Sequence, residues 1–396
     1  MDSIMHSANT LEYCQINSSE TIICNEQCFK FTNLTEDHRY SDWDKTCVCY
    51  IFPAILLLGI VTNVSFIFVS FRISYLHTAI NNFLINLSIA DMLFLSVAVG
   101  EKLYNYLDLD VYSHTVYKTN AGCIIISILK NSTSFTAQII VTLIALERYR
   151  VIRYPLQAYT VNSRVRVRRH NVCSWFVAVI LSATMSPAVG KHQSYCGLWI
   201  VDLKLNDTEF VIINNCDDVN HAFVIYYEFI QTVPFFFAWT ISSIIHGLTI
   251  QGLKQSISDS TLHPKGSDTL TKAGNQVTSM LLINGITFFL LLAPFQIRSL
   301  MAMIRHLNDH NYNDRFLNIG RLLLYTNAAI NPIIYVIINR RYRNAYILAF
   351  WRCRSNDIDD NITGRSCTGL RNREALSSIT LTRIEGINNY HFDTHL

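Results

Sequence analysis

The stretch YTNAAINPIIYVIINRRY, Tyr325 to Tyr342, decides how the rest of the chain is read. It is apolar enough to cross a bilayer, yet it holds Asn327, Asn331 and, near its middle, Pro332. Proline lacks a backbone N–H and crowds the preceding turn, so a helix running through it kinks and leaves a carbonyl without its usual donor. In lipid that carbonyl has to be satisfied from inside the protein. The segment is therefore expected to be a jointed transmembrane helix, its asparagines and bound water serving the freed carbonyls.

The composition agrees with a bilayer as solvent. Of 396 residues 50% are hydrophobic and 15% charged, and the mean hydropathy is +0.23, too apolar for an ordinary soluble chain. A spanning helix needs about 20 mostly apolar residues. Seven segments qualify: Tyr50–Phe71, Thr78–Tyr104, Gly122–Ile152, Cys173–Val189, Phe223–Ile250, Val277–Ile304 and Phe316–Ile338. The expected fold is an all-α membrane protein, a seven-transmembrane helix bundle over 50–338. An extracellular segment (1–49) precedes it, and a short amphipathic membrane-surface helix (339–353) and a disordered tail (354–396) follow.

Lys and Arg stay preferentially in cytoplasmic loops. Arg148, Arg150, Arg153, Arg164, Arg166, Arg168 and Arg169 follow the third segment, Lys254, Lys265 and Lys272 the fifth, and Arg340, Arg341, Arg343, Arg352 and Arg354 the seventh. Those ends are expected inside and the N-terminus outside. MDSIMHSANT has no apolar core, so the first span is expected to act as its own export signal. Eight of eleven cysteines (14, 24, 28, 47, 49, 123, 196 and 216) then fall on the oxidising side, which favours disulfides. A zinc tetrad of Cys24, Cys28, Cys47 and Cys49 is the alternative. Sequons at Asn17, Asn33 and Asn206 are exposed to glycosylation; those at Asn63, Asn86, Asn131 and Asn361 lie in helices or the tail and are expected bare. Tyr342, Tyr346, Phe350 and Cys353 recur at helical spacing among arginines, as in a helix lying on the inner lipid surface, with Cys353 either palmitoylated or a plain thiol.

An Asp at a helix centre costs roughly 2.5 to 3.5 kcal/mol on insertion scales, so polar groups in the spans face the bundle. They are Asn63 in GIVTNV, Asp91 in NLSIAD, Gln138, Asn327 and Asn331. Interhelical polar glue would explain each singly. NLSIAD with Asp91, ERY from Glu147 to Tyr149, Trp175, Phe288 with Pro294, and NPIIY from Asn331 to Tyr335 occur in an order and spacing that resemble rhodopsin-like G-protein-coupled receptors, over about Tyr50 to Cys353. The resemblance implies that Glu147 restrains Arg148 at rest, and that Arg148 reaches the G protein when the sixth helix swings out. It implies that Tyr335 turns inward to support that state, and that Cys123 bonds the second extracellular loop through Cys216 or, alternatively, Cys196. Cys216 follows an expected hairpin, GLWIVDLKLNDTEFVIINN.

Several positions depart from the family pattern. Leu292 replaces a tryptophan switch, Ser242 a tyrosine, and Gln138 the aliphatic partner of Pro234 and Phe288. Ala137 and Ala328 replace hydroxyls that surround a sodium ion beside Asp91. Gly274 replaces an acid that clasps the arginine, leaving Glu147 as the main restraint. Tyr325 stands where retinal proteins carry lysine, and Lys130 where amine receptors carry aspartate, so neither ligand class is expected.

Glu101, Lys130, Glu228, Gln296, Arg298 and Tyr325 form a mixed pocket suited to a ligand with both charges or amides, Glu228 having the alternative of a satisfied helix end. LHTAINNFLINLSIAD, VGEKLY and APFQIR are similar to stretches of neuromedin U, pyrokinin and thyrotropin-releasing-hormone receptors. The expected function is a neuropeptide receptor acting on a heterotrimeric G protein, Gq by that resemblance. Small-molecule reception and transport are the alternatives. Internal repeats expected of a transporter are not seen, nor is the clustering of nucleophiles or ligands an enzyme needs. Ser377, Ser378, Thr380 and Thr382, once phosphorylated, would form an anionic cluster for an arrestin. Membrane lipid is the other partner expected; cofactors, resident metals and nucleic acids are not.

Overall fold

The computed structural model describes residues 14–16, 21–24, 27–34, 39–154, 163–202, 207–262, 268–308 and 317–350. Among them are seven helices long and apolar enough to cross a membrane. These are α1 (Asp42–Arg72, with a π-helical turn at Cys47–Ile51), α2 (Ala79–Asp108), α3 (Asn120–Arg153), α4 (Ser163–Met185), α5 (His221–Leu262), α6 (Asp268–Asn308) and α7 (Leu317–Ile338). An eighth, α8 (Arg340–Phe350), follows directly. The bundle expected from the sequence is thus present. Local chemistry sets several starts. The Ser41 hydroxyl accepts from the Asp44 amide while the Asp44 carboxylate takes the Ser41 amide, closing a capping box. Thr78 and Thr119 cap α2 and α3 in the simpler way.

That capping box carries α1 further out than the apolar run alone suggests. Helix begins at Asp42 instead of Tyr50, which draws Cys47 and Cys49 onto α1. Both are free thiols, and Cys47 is fully buried among Tyr40, Phe52 and Leu95, so the disulfides expected of them do not form and the zinc tetrad loses half its ligands.

At the end where α1 starts lies a five-stranded sheet in the order β1 (Cys14–Ile16), β2 (Thr21–Cys24), β3 (Gln27–Leu34), β4 (Lys191–Asp202) and β5 (Asp207–Asp217). The antiparallel β4–β5 pair is the expected hairpin. The three N-terminal strands are an addition, with β3 parallel to β4 and Lys30 beside Tyr195. The hairpin is bolted down at three places. Cys123 of α3 is disulfide-bonded to Cys216, with Cα atoms 5.7 Å apart. The His192 amide donates to Asn120 at the head of α3 (2.7 Å). In the loop after α2, the Thr115 amide donates to Asn214 O (2.8 Å), and buried His114 accepts from the Asn214 amide at Nδ1 (3.3 Å), so its Nε2–H faces Asp108 at 2.8 Å. Of the modification sites, Asn33 lies on β3; Asn17, Asn206, Cys353, Ser377, Ser378, Thr380 and Thr382 lie outside the described residues. Sequons Asn63 and Asn131 are buried inside helices.

At the other end α8 is tied to the bundle by aromatic side chains. Arg341 donates to Tyr75 O and lies over its ring, while the Tyr75 hydroxyl returns a bond to Arg341 O (3.1 Å). The Tyr342 hydroxyl donates to Asn81, and Tyr346 meets Ser65 at 3.3 Å.

The gap that Pro332 leaves in the hydrogen-bond ladder of α7 is filled from α1. Pro332 deprives Ala328, four residues back, of its helical partner. Asn63 donates Nδ2–H to that carbonyl at 3.0 Å, and Thr62 donates its hydroxyl to Ala329 O at 2.8 Å. Gly59, one turn before Asn63, leaves room for Leu95 of α2: a Cβ there would clash with the Leu95 side chain, whereas its contact with Ala329 would be an ordinary one. Asn63→Ala is expected to cost about 1–3 kcal/mol by stranding Ala328 O, read as a lower Tm of the purified protein. In a Pro332→Ala background, where residue 332 regains an N–H, the same change should cost about 1 kcal/mol less. Equal costs in both backgrounds would detach Asn63 from the gap left by Pro332.

Candidate functional site

Two sites stand at opposite ends of α7. Near the sheet, the helices part around a cavity of about 220 Å³. Phe94, Ala98, Glu101 and Lys102 approach it from one face of α2, Lys130, Asn131 and Ser134 from α3, and Tyr227, Glu228 and Gln231 from α5. Phe295, Gln296, Arg298 and Ser299 come from α6, and Leu317, Arg321, Leu324 and Tyr325 from α7. All five residues expected at a ligand site, Glu101, Lys130, Gln296, Arg298 and Tyr325, are brought together here, and so is Glu228.

Their neighbours qualify what each can do. Lys130 Nζ lies 2.6 Å from Glu101 Oε2, with both side chains mostly shielded from solvent (30% and 14% exposed). The Glu228 carboxylate accepts from the Ser299 hydroxyl. Tyr325 is 4% exposed and packs edge-on against Phe52 of α1 at 5.0 Å, which makes it core as well as lining. Gln231 and Gln296, also buried, each hold a side-chain oxygen with no hydrogen-bond partner among the described residues. Lys102 and Arg321 are additions to the expected set. Both stand toward the sheet end of their helices, where a charged residue ordinarily reads as a solvated terminus. The spacing of Lys102 with Ala98, and of Arg321 with Tyr325, puts them on cavity-facing stripes.

Midway along α7, Asn331 Nδ2 donates to Asp91 Oδ2 at 2.7 Å, so the residue beside the proline is tied to α2. Asn327 is buried one turn above. Phe288 lies edge-on to Phe289 (5.4 Å), and Phe289 faces Phe235 (5.8 Å), which continues to Trp239 (6.0 Å). This aromatic run across α5 and α6 packs in one buried cluster with Leu292, and Pro294 lies inside α6 just beyond it. Tyr335, fully buried, packs against Phe66 (5.2 Å) and Tyr342 (6.0 Å).

At the C-terminal end of α3 the structure departs from expectation. Glu147 does not clasp Arg148. Its carboxylate takes Arg166 of α4 instead, Nη2 to Oε1 at 2.6 Å. Adjacent helical residues diverge by about 100°, so Glu147 faces α4 while Arg148 projects into the bundle. There Tyr342 is pushed up to about 12 by burial, against the opposing pull of Arg148 and Arg341. Arg148 Nε has no hydrogen-bond partner among the described residues, and Tyr149 is half-buried beside it.

Residues 62–335 match the family model described as 7 transmembrane receptor (rhodopsin family). The chain is 26% identical over 315 residues to the thyrotropin-releasing hormone receptor of Bos taurus, covering 73% of this chain and 74% of that one. It is 23% identical over 351 residues to the galanin-like G-protein coupled receptor npr-9 of Caenorhabditis elegans (83% and 78% covered). Against the neuromedin U receptor homolog nmur-2 of the same organism it is 24% identical over 319 residues (75% and 77%).

The Lys130–Glu101 pair generates a test of the cavity's energetics. Lys130→Ala strands a shielded carboxylate and is expected to cost about 2 kcal/mol or more, seen as a lower Tm. Adding Glu101→Gln should restore most of it. Absence of any rescue would mean that Lys130 acts through packing alone.

Proposed function

This chain belongs to the rhodopsin family of seven-transmembrane receptors, and from that premise we propose that it is a G-protein-coupled receptor for an extracellular neuropeptide. The family makes it a multi-pass plasma-membrane protein and a receptor, not an enzyme. The observation that supports a peptide is the wall chemistry of the cavity. Gln231 and Gln296 hold buried side-chain oxygens without donors among the described residues, a demand that the N–H groups of a peptide backbone meet. The charges beside them suit polar side chains or termini. The relatives are named as receptors of peptides, in agreement with that wall.

In this reading the sheet end faces outside and α8 lies on the cytoplasmic lipid surface. A ligand seated in the cavity favours one setting of the α7 joint, α6 moves outward, and Arg148 engages the G protein. Because Arg148 is not clasped by Glu147, the resting state is held by the Glu147–Arg166 bridge and by the packing of Tyr335 on Phe66 and Tyr342. Coupling to Gq follows the branch that the sequence resembles. Recruitment of arrestin through phosphorylated Ser377, Ser378, Thr380 and Thr382, glycans on Asn17, Asn33 and Asn206, and palmitate on Cys353 belong to the same reading.

The test is a neuropeptide library screened on cells expressing the protein, with calcium and cyclic-nucleotide readouts. A hit should lose its nucleotide exchange with Arg148→Ala while surface expression persists. Full signalling by that variant would remove Arg148 from the mechanism. Ligand accumulation in vesicles free of G protein would replace reception by transport.

A further inference from the structure

We propose that Lys102 and Arg321 form a subsite for a carboxylate on the ligand, either the free C-terminus of a peptide or the side chain of an Asp or Glu. The peptide part of this statement rests on the function proposed above; the carboxylate part rests on the cavity alone.

The two cations come from neighbouring helices, α2 and α7, and converge on one phenol. Lys102 Nζ lies 5.5 Å from the centroid of the Tyr112 ring, and Arg321 Nη1 lies 3.1 Å from the Tyr112 hydroxyl. Both line the cavity. The acids nearby are already engaged. Glu101, although adjacent to Lys102 in sequence, turns its carboxylate to Lys130, and Glu228 accepts from Ser299. Asp44 reaches Arg321 only through Asn318, which donates to Asp44 and accepts from Arg321 Nη1 at 3.2 Å. Among the described residues neither Lys102 nor Arg321 has a carboxylate at ion-pair distance.

Two like charges held against one ring in a low-dielectric wall repel each other. Their cation–π and phenol contacts orient them but supply no negative charge. A carboxylate between them neutralises that repulsion and offers Arg321 the planar acceptor its guanidinium fits best. A ligand ending in an uncharged amide would leave both cations as they are, with the added cost of excluding water from them.

The test needs no knowledge of the natural ligand. Thermal unfolding of the purified full-length receptor is followed against N-acetyl-phenylalanine and N-acetyl-phenylalanine amide. The acid is expected to raise Tm and the amide not to; K102Q and R321Q should each raise the half-saturating acid concentration about tenfold or more. Arg321→Lys, which keeps the charge and guards against misfolding, should fall between wild type and R321Q. Equal shifts by acid and amide, no shift by either, or unchanged half-saturation in the variants would overturn the subsite.

A second arm uses a peptide library synthesised as free acids, as amides, and as amides with internal Asp or Glu, read by calcium release. Potency confined to the free acids assigns the C-terminus, and potency in the acidic amides assigns a side chain. A receptor that binds the acid as described and answers no peptide keeps the subsite and loses the peptide reading. Activation by peptides lacking any carboxylate, undiminished in K102Q and R321Q, does the reverse.

Discussion

One absent hydrogen organises the middle of this protein. Pro332 has no N–H to give Ala328, and the donor comes instead from Asn63 on another helix, at 3.0 Å, with Thr62 serving the next carbonyl at 2.8 Å. A backbone bond lost in the ladder of a helix is thereby replaced by a bond between helices. The two differ in what they allow. A ladder bond holds as long as the helix does, whereas a side-chain bond worth about 1 kcal/mol can be exchanged for another when α7 turns. Asn331, tied to Asp91 at 2.7 Å, sets the other side of the joint. The joint is therefore held by α1 and α2, and its setting is a property of three helices.

The sheet end is built on the opposite principle. Its parts are fixed by bonds with no ready substitute: the Cys123–Cys216 disulfide, the Asp108–His114–Asn214 chain, and the capping box that starts α1 at Asp42. These hold the sheet and the helix ends while the cavity wall keeps charges in reserve. Glu101 and Lys130 are matched to each other, whereas Lys102 and Arg321 share only Tyr112. A rigid rim around an unbalanced wall is what a receptor needs if the ligand is to supply the missing charge and be recognised by it.

What is legible in the sequence is what a single periodicity or a single local cost carries. The seven spans are readable because an unbroken apolar run of about twenty residues matches the thickness of a bilayer and little else in a protein of this size. Asp91, Asn331 and Pro332 are readable because a polar group or a proline in lipid demands a reason. The five expected pocket residues converge because helical spacing puts them on inward faces. Where the structure differs, the causes are physical too. Strand β3 pairs with a partner far along the chain, Lys30 beside Tyr195, and no local pattern announces a parallel neighbour. The start of α1 lies beyond its apolar run because a capping box extends it. The Glu147 bond goes to Arg166 because neighbours on a helix point about 100° apart, so a family's pairing need not follow from adjacency. Lys102 and Arg321 look like solvated helix ends in the sequence; their spacing to Ala98 and Tyr325 is the one signal there, and the cavity and the Tyr112 contacts bear it out.

In the function proposed above, a bound ligand acts toward Arg148 through α7. This helix contributes Arg321 and Tyr325 to the cavity, Asn327 and Asn331 to the polar centre, and Tyr335 to the inner aromatic contact. From Arg321 to Pro332 it rises about 16 Å at 1.5 Å per residue, and Tyr335 lies less than one turn further. A ligand that pulls Arg321 toward α2 therefore acts on the same rod whose joint Asn63 and Asp91 restrain. Its leverage is limited by its preference between the two settings, commonly about 1–3 kcal/mol for coupled sites. That is comparable with the few side-chain bonds at the joint, each worth about 1 kcal/mol. Had the carbonyl of Ala328 been held in an unbroken helical ladder, the same ligand would have had a backbone hydrogen bond of that ladder to break as well. The proline lowers the resistance of α7 to the scale of what binding can supply.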